Sequence, residues 1–140
     1  MEVFLSLLLA TIFYLLSLLH CYWVGGGKWG FEAALPTKES GERIMNPRKI
    51  DSAIVGLGLF AFGSLYLLHS GIVPINLPSW VWRIGSWIVP GIFLLRAIGE
   101  FRYVGFFKKV RNTPFGQRDT KYYAPLCLGI GIIGLVIAWM

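Results

Sequence analysis

The sequence predicts an all-α fold: an integral membrane four-helix bundle formed by a single transmembrane domain, residues 1–140. Three observations predict it. Hydrophobic residues make up 56% of the 140 residues with glycine left out, where soluble domains reach about 45–50% with glycine counted. Charged residues are 14%, against roughly 25% in soluble domains. The apolar residues gather into four runs, each about the length a helix needs to cross roughly 30 Å of hydrocarbon. The same figures exclude a disordered chain, a collagen-like chain and a disulfide scaffold. In hydrocarbon every backbone N–H and C=O must be paired within the structure. The alternating pattern of a membrane β-barrel is absent, so the runs are read as helices.

The first run, Val3 to Trp23, has no charged residue over 21 positions. Met1-Glu2 supplies no basic leader, and His20 stands where a lipoprotein site wants a small residue. The run is therefore expected to be a retained helix, not a cleaved signal. The second, 53–73, is broken only by weakly polar residues and His69. The third, 81–99, carries Arg83 near one end and Arg96 near the other. They lie about 20 Å apart along a helix axis, so both can snorkel outward. Pro90-Gly91 within it is expected to bend the helix. The fourth, 124–140, is 17 residues long and is expected to lean on its flanks or on local bilayer thinning.

Small residues four apart, Ser52 with Gly56 and Gly134 with Ala138, let helices approach. Packing within the chain is the first expectation and dimerisation the second. Trp80, Trp82, Trp87 and Trp139 read as an aromatic belt at one interface. Cys21 and Cys127 lack metal or redox spacing and are expected to be small packing residues.

Loop charge gives the topology. Residues 24–50 hold Lys28, Lys38, Arg43, Arg48 and Lys49, and residues 100–123 hold Arg102, Lys108, Lys109, Arg111, Arg118 and Lys121. Residues 74–80 hold no basic residue. The positive-inside bias therefore puts the two basic loops in the cytoplasm and both termini outside. The basic excess, 13 Lys and Arg against 7 Asp and Glu, is a matter of topology, and nucleic acid is not an expected partner.

With that topology the polar residues concentrate at one interface. His20, Asp51, Arg96, Glu100, Arg102 and Asp119 could all converge near the cytoplasmic side; only His69 and Arg83 stand out at the other. Arg96 and Glu100 are four apart and share a helix face, so Arg96 is expected to pair with Glu100 or Asp119. Such a pair either ties helix ends together or belongs to a polar pocket. His20 is either a proton carrier or a hydrogen-bonded interfacial residue. No H-x-x-x-H, C-x-x-C or H-E-x-x-H spacing appears, so no metal and no cofactor are expected. The glycine-rich stretch 23–30 lacks the G-x-x-x-x-G-K-[ST] phosphate loop. In 101–111, Tyr103, Phe106 and Phe107 fall at helical spacing among bases, which predicts a segment lying on the inner leaflet.

Three blocks carry a resemblance over nearly the whole chain. They are His20-Cys21-Tyr22-Trp23 with Gly26-Gly27-Lys28-Trp29-Gly30, then the stretch from Leu95-Arg96-Ala97 to Phe107-Lys108, then Asp119-Thr120-Lys121-Tyr122-Tyr123-Ala124-Pro125-Leu126-Cys127-Leu128. Together they resemble the small bacterial membrane proteins grouped as domain of unknown function 3995. The resemblance implies a four-helix protein of a bacterial plasma membrane with no established activity, and it carries over no catalytic residues.

Three function classes follow. The first is binding of a lipid or amphipathic small molecule in a polar pocket at the cytoplasmic interface, with His20, Trp23, Arg96, Glu100, Arg102 and Asp119 as candidate ligand-binding residues. Arg96 and Arg102 would hold an anionic group. The second is a small intramembrane enzyme of lipid-isomerase type, with His20 or Glu100 as acid or base. The third is an accessory subunit of a membrane complex. Membrane lipids are the expected partners, and a homo-oligomer or a membrane protein partner stays open. No charged path crosses the midplane of one chain, which argues against a transporter.

Overall fold

In the computed structural model, which describes residues 1–140, helix α1 spans Glu2–Val24. A single 3-10 turn at Glu32–Ala34 interrupts the long loop after it. Helix α2 spans Lys49–His69 and helix α3 Ser79–Ile98. A short helix α4, Pro114–Arg118, runs through a π turn at Asp119–Tyr123 into helix α5, Ala124–Trp139. No strand forms; one isolated bridge joins Thr37 to Arg43 in the first loop.

Local chemistry moves the helix ends away from the hydrophobic runs. Helix α2 begins four residues before the apolar run because Asp51 accepts the Arg48 backbone N–H at 2.7 Å, a capping arrangement that holds the first turn. It stops at His69 because Gly71, at φ +74°, turns the chain away. The fourth run is not short after all. α4, the π turn and α5 form a continuous helical segment, Pro114–Trp139, of 26 residues. Thr113 caps its start by accepting the Gly116 N–H at 2.9 Å. Pro125, in the first turn of α5, offers no N–H and crowds the preceding turn, which accounts for the widened π geometry just before it.

All four long helices are long and apolar enough to cross a membrane, as in a multi-pass membrane protein. α1 packs along α2 and α3 along α5, and the two pairs close into a bundle. Phe13 sits at the centre, with Phe62, Tyr66 and Phe93 around it at ring-centroid distances of 5.8, 5.9 and 5.3 Å. Glycine sets the closest approaches. A Cβ on Gly134 would stand 2.9 Å from Pro90 and 3.0 Å from the Tyr66 hydroxyl. A Cβ on Gly56 would stand 3.2 Å from His20, and beside it the Ser17 hydroxyl donates to the Gly56 carbonyl at 2.8 Å. Both glycines thus serve packing within the chain. Large apolar side chains such as Leu15, Leu57 and Leu95 point outward, as lipid contact requires.

The end of the bundle away from the basic loops is more ordered than expected. Glu2 and His69 pair at 2.8 Å, and His69 stacks on Trp82 at 3.3 Å with 6° between planes. Trp82 therefore turns into the bundle, and only Trp80, Trp87 and Trp139 stand outward as a belt would.

Candidate functional site

The two basic loops meet at one end of the bundle. The Tyr123 hydroxyl donates to the Ala33 carbonyl at 2.9 Å and joins the top of α5 to the first loop. The centre of this end is Asp119, fully buried at the start of the π turn. Its Oδ1 accepts from Arg96 at 2.9 Å. Its Oδ2 accepts from the Gly105 N–H at 2.7 Å and from Lys108 Nζ at 3.1 Å. Lys108 is 1% exposed. Its ammonium group also donates to the Gly105 carbonyl at 2.9 Å and the Thr120 hydroxyl at 2.6 Å, so all three of its hydrogens are used. A buried ion set of this kind holds only when every member has partners.

The backbone delivers Lys108 to this place. The loop after α3 is not helical over 101–111, so Tyr103, Phe106 and Phe107 do not share a helix face as their spacing led one to expect. Gly99, Phe101 and Gly105 have φ of +83°, +67° and +88°. Gly99 and Gly105 cross so closely that a Cβ on either would overlap the other's backbone. The Phe106 N–H then donates back to the Ala97 carbonyl at 2.8 Å. This fold-back aims the Gly105 N–H and the Lys108 side chain at Asp119, while Phe107 stays exposed.

The candidate residues fall into two cavities. Arg96, Glu100 and Arg102 line one of about 660 Å³, with Tyr103, Val104 and the lipid-facing Leu95. Arg96 uses one terminal nitrogen on Asp119, while its other, Nη1, is buried and has no partner. Arg96 does not pair with Glu100. The Glu100 carboxylate turns to the backbone and accepts the N–H groups of Tyr103 and Val104. Arg102 lies over the Tyr103 ring at 5.1 Å and stays outside the Asp119 set.

His20 and Trp23 line a second cavity, of about 610 Å³, between the ends of α1 and α2 and the first loop. His20 Nδ1 is 2.8 Å from the Leu16 carbonyl. Its ring lies edge-on to Trp23 at 4.8 Å. The Trp23 indole N–H donates to the Trp29 carbonyl at 2.8 Å and fastens the glycine-rich loop. Asp119 lines neither cavity; it stands behind Arg96. No three His, Cys, Asp or Glu side chains converge as a metal would require. In the first loop Lys38 and Glu42 pair at 2.8 Å. The hydrogen bond and charge of Lys38 hold the Glu42 carboxyl below its ordinary value, and Glu42 raises Lys38 in turn. Both are exposed, so the pair adds little to the stability of the loop.

Residues 13–134 match the family described as "Protein of unknown function (DUF3995)". The chain belongs to this family. No curated protein and no solved structure matches it. In this DUF3995 chain the second and third sequence blocks meet in the Asp119 set, since Arg96, Gly105 and Lys108 come from one and Asp119 and Thr120 from the other. Lys108 and Ser52 are absent from the candidates read from sequence. The signal for Lys108 was present in outline: two glycines six apart, Gly99 and Gly105, fold the loop back before it.

Proposed function

We propose that this DUF3995 chain binds an anionic amphiphile at the membrane interface, with the head group against Arg96 and the apolar part running past Val104 and Leu95 toward lipid. One observation carries the reading: the buried Arg96 Nη1 has hydrogens and no acceptor. A buried donor left unpaired costs about 1–3 kcal/mol, more when charged, and the guanidinium, one-third exposed and lining the cavity, removes that cost by turning Nη1 to a head-group oxygen there. Charge supports the same ligand. Arg96 and Lys108 face the single carboxylate of Asp119, so the set carries one uncompensated positive charge. The cavity joins this polar end to an apolar wall, as an amphiphile needs. The reading also puts the basic end at the cytoplasmic face of a bacterial plasma membrane, beside anionic lipid head groups.

The test is native mass spectrometry of protein gently extracted from its own membrane, with two variants. Arg96→Gln removes the guanidinium. Ile44→Trp fills the cavity from the first loop and leaves the Asp119 set alone. A defined anionic amphiphile kept by the parent and lost from both folded variants is the expected result. Bulk lipid alone in all three overturns the proposal.

A further inference from the structure

The His20 cavity opens into a second hollow of about 410 Å³, with which it shares Trp23, Phe31, Pro47 and Ser52. The two lie side by side between α1, α2 and the first loop, and of their lining residues only Met45 also lines the Arg96 cavity. The mouth of this crevice carries Lys28, Arg48 and Lys49, and its inner part is lined by Phe31, Ala34, Leu35 and Val55. Two carboxylates lie here, and both are engaged. Glu32 pairs with Arg43. Asp51 accepts the Arg48 N–H and lies 3.7 Å from the Arg48 guanidinium. Lys28 and Lys49 are left without a carboxylate, about the charge that a phosphomonoester of −1.5 to −2 requires.

Three further donors or acceptors meet there. The 21-residue helix α2 starts at Lys49, so the Lys49 and Ile50 N–H groups have no backbone carbonyl, while those of Asp51 and Ser52 reach the Arg48 carbonyl. Ser52 is 8% exposed, lines both hollows, and its hydroxyl has no hydrogen-bond partner in the protein. His20 Nδ1 faces a carbonyl, which only accepts, so the ring proton sits on Nδ1. Nε2 is then the nitrogen left to meet a ligand.

We propose that this crevice is a binding site for a phosphomonoester group, held by Ser52, the α2 N-terminus, Lys28 and Lys49, with His20 Nε2 facing its P–OH. The same chemistry is offered by a lipid phosphate, whose tail would lie along Phe31 and Val55, and by free phosphate. None of these holding groups lines the Arg96 cavity, which meets this one only at Met45.

The test uses the full chain in phosphatidylcholine nanodiscs with labelled histidine, read by NMR. His69, at the far end of the bundle, is the internal control for folding. The probes are phosphatidic acid, phosphatidylglycerol and inorganic phosphate. A saturable shift of the His20 signal with phosphatidic acid, weaker with the phosphodiester phosphatidylglycerol, is expected. Inorganic phosphate giving the same shift supports the site with free phosphate as a source; its failure beside a phosphatidic acid response assigns the source to lipid. Ser52→Ala, and separately Lys28→Ser with Lys49→Ser, should each weaken the apparent affinity about tenfold or more, the effect of losing a hydrogen bond to a charged group. Equal shifts from both lipids, a response indifferent to Ser52→Ala, or no shift with any probe overturns the proposal.

Discussion

Asp119 accepts three hydrogen bonds, one from α3 and two from the loop after it, while fully buried. Removing one member of a buried ion set leaves the others charged and unpaired, at about 3–5 kcal/mol. Asp119→Asn is therefore expected to cost that much, because Arg96 and Lys108 both lose their carboxylate. Lys108→Met should cost less, because Arg96 and the Gly105 N–H still hold Asp119. Thermal unfolding of the two variants in one detergent checks the order, and a larger loss for Lys108→Met would contradict this assignment. Much of this was legible in the sequence. An arginine one turn inside an interface needs a partner, and Asp119 was one of two in reach. Lys108 was legible only in outline, from the two glycines before it. Its neighbours Lys109 and Arg111 give the stretch the look of a basic surface, and only the backbone crossing at Gly99 and Gly105 turns one of the bases inward. His20 and Trp23 were expected beside Arg96 because depth alone was available. Depth does not say that His20 and Trp23 lie against α2 while Arg96 lies against the loop after α3.

At the level of elements, glycine context decides the outcome of substitution. Gly105 has φ +88° and its Cβ would overlap the Ile98 carbonyl and Gly99. Gly105→Ala therefore unseats the N–H that holds Asp119, and loss of protection against proteolysis in residues 100–112 is the expected readout. Gly26, at φ +95°, has nothing within 4 Å of its Cβ position. Gly26→Ala should cost only about 1–2 kcal/mol of backbone strain and leave that segment protected. The same contrast holds in α5. Gly129 faces open space, so Gly129→Ala should raise stability by up to about 1 kcal/mol through helix propensity. Gly134→Ala meets Pro90 and the Tyr66 hydroxyl and should lower it, and the melting temperatures of the pair decide the point. The long helices were legible because a charge-free apolar run has few alternatives in lipid. Their ends were not, since these depend on the Asp51 cap, the Gly71 turn and the π turn before Pro125.

For the whole molecule, the asymmetry of charge and the asymmetry of cavities coincide. Both proposed sites lie at the end that carries the two basic loops, where cationic groups outnumber their carboxylate partners. The far end closes on itself through the Glu2–His69 pair and the Trp82 stack. A binding face of this kind is useful only where anionic head groups are abundant, which makes orientation a functional matter as well as a topological one. The bundle brings both chain ends to the closed face, so a reporter fused after Met140 reads the orientation of the whole. A reporter active only outside the cytoplasm should be active there, and one active only inside should be silent. Moving the inner reporter into the first loop, next to Ser40 at its exposed tip, should reverse the result. Activity of the inner reporter at Met140 would put the cationic face outside, away from the anionic leaflet, and would remove the electrostatic support for both sites at once.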